Sequence, residues 1–210
     1  MDLSTPLILI VVFFSVVCHE LAHGMVAWKL GDPTAWRAGR LTFNPLPHID
    51  LFGTIILPVM LRLLGSSVLF AWAKPVPVDA RYFKNPRKGM MLVAASGPGT
   101  NLVLAVLLAL AVHALNGTMP FWVLKGLAFG SLINVILMVF NLVPIPPLDG
   151  SRIVAGFLRG RALWNYLRLE PYGLFITFGL LYLGFFSGMF DAAERLAVSA
   201  LGLLRFLIRS

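Results

Sequence analysis

Charged side chains are scarce in this chain: 12% of its 210 residues are charged, 59% are hydrophobic, and the mean hydropathy is +0.86. A soluble globular domain carries about 25% charged residues, so this composition excludes one and points to a membrane protein in contact with a lipid bilayer. Cysteine is almost absent. The single Cys18 excludes an internal disulfide and any cysteine-rich zinc site, so a metal here must rely on histidine and carboxylate ligands. Acidic residues are few, 9 against 17 basic ones, giving a net charge of +8. Such a surplus could serve nucleic acid, but the basic residues cluster between apolar stretches, as in cytoplasmic loops under the positive-inside rule, and no nucleic-acid partner is expected. The apolar N-terminus has Asp2 and no basic n-region, so it reads as a retained span and not a cleaved signal. Repeats, low-complexity tracts and linkers are also missing, which leaves one integral-membrane domain over 1–210.

What the chain does have is long apolar runs. Residues 3–30 suffice to cross a hydrocarbon core of roughly 30 Å as a helix and end at Gly31-Asp32-Pro33. Residues 90–115 and 121–143 form a hairpin of two full spans around "NGTMP", and 171–189 reads as a last span. Residues 51–64 are apolar but too short to cross, which favours a re-entrant helix. Short membrane-associated β-strands are expected at "RAGRLTF" (37–43) and within "SVLFAWAKPVPV" (67–78), because the prolines of the second cannot sit inside a helix. Residues 191–209 read as an interfacial amphipathic helix. The fold class is therefore an all-α polytopic membrane protein with about four transmembrane helices, a re-entrant helix and short strands. If the basic segments 29–50, 74–88 and 144–170 all face the cytoplasm, the first span runs outside to inside and 51–73 enters and leaves on one side.

Inside the first span lies "CHELAHG". His19 and His23, four residues apart, project from one face of a helix, and Glu20 stands beside them, the arrangement that holds zinc and deprotonates its water. Two histidines and a glutamate at membrane depth are too expensive to be an incidental feature of a buried helix. Zinc needs a third protein ligand and one open position. The candidates are Asp149, His48, Asp50 and His113. Asp149 is best placed, since it follows a proline-broken span end where unwound backbone can face a cavity.

Three ordered segments then resemble the motifs of the site-2 protease family of intramembrane zinc metalloproteases. They are His19-Glu20-Leu21-Ala22-His23, Gly97-Pro98-Gly99-Thr100-Asn101, and the stretch from Asn141 through Pro144, Pro146 and Leu148 to Asp149-Gly150. "FNPLPHIDLFGTIILP" and "FAWAKPVPVDARYFKNPRKG" further resemble a compact bacterial or archaeal subgroup without a PDZ domain. The resemblance covers about residues 5–160, taken as the catalytic core, with 171–210 as the last span and C-terminal helix. It implies Zn2+ held by His19, His23 and Asp149, with Glu20 as catalytic base. It also implies cleavage of peptide bonds in or near the transmembrane segments of protein substrates, from a prokaryotic cell (inner) membrane with the active site towards the cytoplasm.

A scissile bond cannot be attacked within an intact helix, so the substrate must unwind locally. Asn101 and Asn141 are candidate substrate-binding amides, since an amide inside a span is expensive without a partner, although an inter-helix contact serves Asn101 equally well. Two rival readings belong to other classes. A divalent-metal transporter would treat the metal as cargo, but has no need of a base at Glu20. A non-catalytic membrane scaffold gives no reason for the complete motif.

Overall fold

The first helix starts where Pro6 is harmless, in its opening turn, and runs on through apolar residues that offer the backbone no competing partner. The computed structural model describes residues 4–63, 65 and 73–207. Helix α1, Ser4–Lys29, ends at Gly31, whose φ of 104° lets the chain reverse. Asp32, fully buried behind that turn, accepts hydrogen bonds from Thr34 N–H (2.9 Å), from the Thr34 hydroxyl and from Asp79 N–H (2.7 Å). It thereby caps the short α2, Thr34–Arg37, and ties a distant segment to the end of α1.

Among the described residues three helices are long and apolar enough to cross a membrane: Pro6–Lys29 within α1, α4 (Pro86–Leu115) and α5 (Phe121–Asn141). The mutual packing of these three forms the centre of the molecule. Small residues allow the close approach: a Cβ at Gly126 would meet Leu7, and one at Gly130 would meet Val11. At mid-bundle, Asn134 of α5 donates to the Ser15 hydroxyl of α1 (2.8 Å) and accepts from the Asn101 amide of α4 (2.8 Å). All three side chains are buried, so a paired polar bridge locks the register of the spans.

Between α2 and α4 the chain makes an excursion. A π-helical turn, Leu51–Ile56, continues into α3, Leu57–Leu63. Lys74 N–H donates to His48 C=O (2.9 Å), which brings the two ends of this excursion together.

The expected β-strands are a correction to the sequence reading. Residues 37–43 form the end of α2 and turns, 73–79 are extended without a ladder, and 67–72 lie outside the described residues. No strand is present among the described residues. A ladder needs successive backbone pairs, and Pro75 and Pro77 have no N–H to give. Side chains take most of what remains: Arg40 donates to the carbonyls of Lys74 (2.7 Å) and Pro75 (3.1 Å), Glu20 accepts from Val76 N–H, and Asp32 accepts from Asp79 N–H. The polytopic all-α class itself stands.

After α5 the chain breaks through Pro144, Pro146 and Pro147 and starts α6, Asp149–Phe157, which packs on the first half of α4. Arg87 of α4 donates to the carbonyls of Gly156 (3.1 Å) and Leu158. Next come α7 (Gly160–Leu167), α8 (Gly173–Tyr182), α9 (Ser187–Ala200) and α10 (Leu204–Leu207). The run 171–189, expected as one span, is divided between α8 and α9. The helical pair Gly160–Tyr182 and Ser187–Ala200 is bent by 76°, with Gly184 at φ +70° in the break.

Candidate metal centre

Four residues on an α-helix turn 400°, so His19 and His23 stand one above the other on α1. Their rings meet edge to face with centroids 4.6 Å apart and Nε2 atoms 3.0 Å apart. Each ring is turned by its other nitrogen. His19 Nδ1 lies 2.6 Å from Asn101 Oδ1, and His23 Nδ1 lies 2.7 Å from the Val93 carbonyl. Both partners are oriented as acceptors, so each Nδ1 carries the proton and donates it, which leaves each neutral Nε2 as a bare lone pair.

Into this pair α6 delivers Asp149 from its first turn. Its Oδ2 is 3.1 Å from His19 Nε2 and 3.3 Å from His23 Nε2, and it is buried without a hydrogen-bond partner. Three electron-pair donors thus converge at 3.0–3.3 Å, a repulsive arrangement unless a cation sits among them. The spacing fits zinc: ligand bonds of about 2.0–2.1 Å in a tetrahedron put ligand atoms roughly 3.3 Å apart. As a carboxylate Asp149 would add the negative charge that a cation at this point requires.

Glu20 is half-buried on the flank of the pair, with a carboxylate oxygen within 4.8 Å of the ring nitrogens. Its Oε2 accepts the Val76 N–H at 2.8 Å, which holds the side chain in place from the extended segment. Two carboxylates thus stand by the ring pair, Asp149 with Oδ2 3.1 and 3.3 Å from the Nε2 atoms and Glu20 tethered to Val76 N–H. Helical spacing puts Cys18 on the opposite flank from Glu20, where it lines an apolar groove with Ala22, Met25 and Phe43.

The other candidates stand elsewhere. His48 is fully buried just before the π-helical turn, with Nε2 3.1 Å from the Thr42 carbonyl. Asp50 caps the π-helical turn by accepting from Gly53 N–H, and His113 meets the Leu201 carbonyl at the far end of α4. Asn101 is fully buried, facing His19 and Asn134. Asn141 donates to the Leu137 carbonyl one turn back in its own helix. Sequence reasoning passed over Asn134 and the Val76 amide. The first carried the same signal as Asn101, an amide inside a span, whereas a backbone N–H leaves no trace in a sequence.

Gly97 lets α4 approach this closely. A Cβ there would lie 2.6 Å from His19 Nε2 and 2.5 Å from His23 Cε1, while one at Gly99 would meet nothing. Gly97→Ala should therefore displace the imidazoles and lower zinc content at least ~10-fold, more than loss of an outer hydrogen bond to a ligand need do. Gly99→Ala should retain zinc. Metal analysis of the two purified variants checks this.

Residues 7–126 and 118–183 match the family model for Peptidase family M50. A Bacillus subtilis protein assigned as zinc metalloprotease YwhC is 41% identical over 184 residues, 84% of this chain and 80% of that protein. Rip2 of Mycolicibacterium smegmatis, likewise assigned as a zinc metalloprotease, is 36% identical over 138 residues, 65% of this chain and 51% of Rip2. The similarly assigned MJ0611 of Methanocaldococcus jannaschii is 31% identical over 178 residues, 84% of this chain and 80% of its own length. No solved structure matches the chain.

Proposed function

The chain belongs to peptidase family M50, the site-2 proteases, and is an intramembrane zinc metalloprotease; from that premise we propose that His19, His23 and Asp149 hold the zinc and that Glu20 is the catalytic base. The observation that supports this ligand set is the convergence of three proton-free donors, one of them the orphaned Asp149 Oδ2. Zinc bound there lowers the pKa of water towards ~7 and polarises a peptide carbonyl. The protein's own groups do the rest. Glu20 takes a proton from the attacking water and passes it to the leaving amine nitrogen. Val76 N–H fixes one carboxylate oxygen during both transfers, Asn101 Oδ1 and Val93 C=O keep the imidazoles in the tautomer that binds metal, and Asn134 orients Asn101.

In this reading 1–210 is one metalloprotease domain with its catalytic core at about 5–160. The substrate is a transmembrane protein segment that unwinds near the inner end of α1. Asn141, in the last turn of α5, is the candidate for contact with its backbone. The basic segments 29–50, 74–88 and 144–170 adjoin the helices that carry the metal-site residues, and under the positive-inside rule this supports an active site towards the cytoplasm of a prokaryotic cell membrane.

Purified full-length protein should cleave single-span peptides, lose that activity to a chelator and regain it with zinc. Cleavage indifferent to chelation would overturn the ligand assignment. Zinc flux through reconstituted protein without any cleavage would favour a transporter.

A further inference from the structure

Helix α9 lies where its composition would not put it. Phe186 and Phe190 pack on Phe140 in the last turn of α5, with ring centroids 5.7 and 6.0 Å away. Ala193 and Ala197 join Leu132, Val135 and Ala105 in one buried cluster, and Leu203 and Phe206 join Leu124, Ala128 and Val112 in another. The chain from Phe186 to Phe206 thus runs antiparallel along α5, a candidate span, with α9 beside its second half.

The face of α9 turned away from α5 is polar. Relative to Ala193, helical spacing directs Gly188, Asp191, Arg195 and Ser199 outward, with Glu194 on the flank. Asp191, Glu194 and Arg195 are exposed, and none forms an ion pair among the described residues. Unpaired charges of both signs facing lipid are unfavourable, so this face calls for a polar partner. A Cβ at Gly188 would meet nothing, so the face is open, and Gly188 and Ala192 supply a small-x-x-x-small spacing for close helix approach. The family match ends at residue 183, before this helix begins.

We propose that this face is covered by the same face of a second copy of the chain. Copies inserted in one orientation are related by a two-fold axis along the membrane normal, so their α9 helices run parallel and the interface is self-complementary. Each helix then presents Asp191 to the Arg195 one turn along its partner, and the ion pair forms twice. The surface itself carries this self-complementarity, because it holds both signs within one turn.

Full-length protein in lipid nanodiscs should have the mass of a dimer, and Ser199→Cys in a Cys18→Ser background should cross-link to a dimer on oxidation. Leu107→Cys, on the lipid-facing side of α4, should not. Arg195→Asp should weaken dimerisation at least ~10-fold, equal to about 1.4 kcal/mol, and Asp191→Arg/Arg195→Asp should restore it, with zinc content unchanged in both. A monomeric wild type, cross-linking at residue 107 as readily as at 199, cross-linking only to a different protein, or no effect of Arg195→Asp would each overturn the proposal.

Discussion

Glu20→Gln should retain zinc and lose peptide cleavage by a factor of ~10²–10⁴, the range contributed by a positioned general base. The amide oxygen of glutamine can still accept the Val76 N–H that holds the side chain at 2.8 Å, so the extended segment keeps its anchor and the fold its local order. What disappears is the group that accepts a proton from water. Metal analysis beside a peptide-cleavage assay separates the two effects. Wild-type cleavage with zinc retained would remove Glu20 from the chemistry, and loss of zinc together with activity would make it a ligand, a role its proximity to both rings makes worth distinguishing.

Asp149→Ala should release the metal. The two imidazoles alone leave half the coordination sphere to water, and zinc affinity should drop more than ~100-fold, since even outer-shell changes cost 10–100-fold. The histidines stay oriented by Asn101 and Val93, so the helices should remain packed and the loss should be specific to the metal. Asp50→Ala supplies the comparison, because that carboxylate caps a turn away from the rings and its removal should leave zinc bound. Equilibrium dialysis against a zinc buffer reads both variants. Full retention in Asp149→Ala would pass the third position to the Glu20 carboxylate, within 4.8 Å of the same nitrogens.

Much of the site was legible because it is local. The four-residue spacing of His19 and His23 on a helix fixes their common face, and Glu20 must flank them. Span lengths follow from hydropathy, because a backbone in lipid has to satisfy its own hydrogen bonds. Asp149 could be ranked first among four candidates through the proline break before it, but its distance from the rings is a fact about α6 packing on α4, with Asp149 lying 126 positions beyond His23 in the chain.

Where the sequence misled, a local signal had more than one tertiary solution. An extended, proline-bearing segment such as 73–79 pairs as a strand only if a neighbour offers a continuous edge; here Arg40, Glu20 and Asp32 reach it first. The amphipathic pattern of 191–200 is the same whether its apolar face meets lipid headgroups or α5, and only packing against Leu132 and Val135 chose the second. Composition and helical period by themselves determined a histidine pair on one face of an apolar helix. The approach of Asp149 to the rings, the tether of Glu20 to Val76 and the course of α9 were decided by the tertiary structure, because each is a contact between segments far apart in the chain, and periodicity specifies which face is apolar without specifying what it meets.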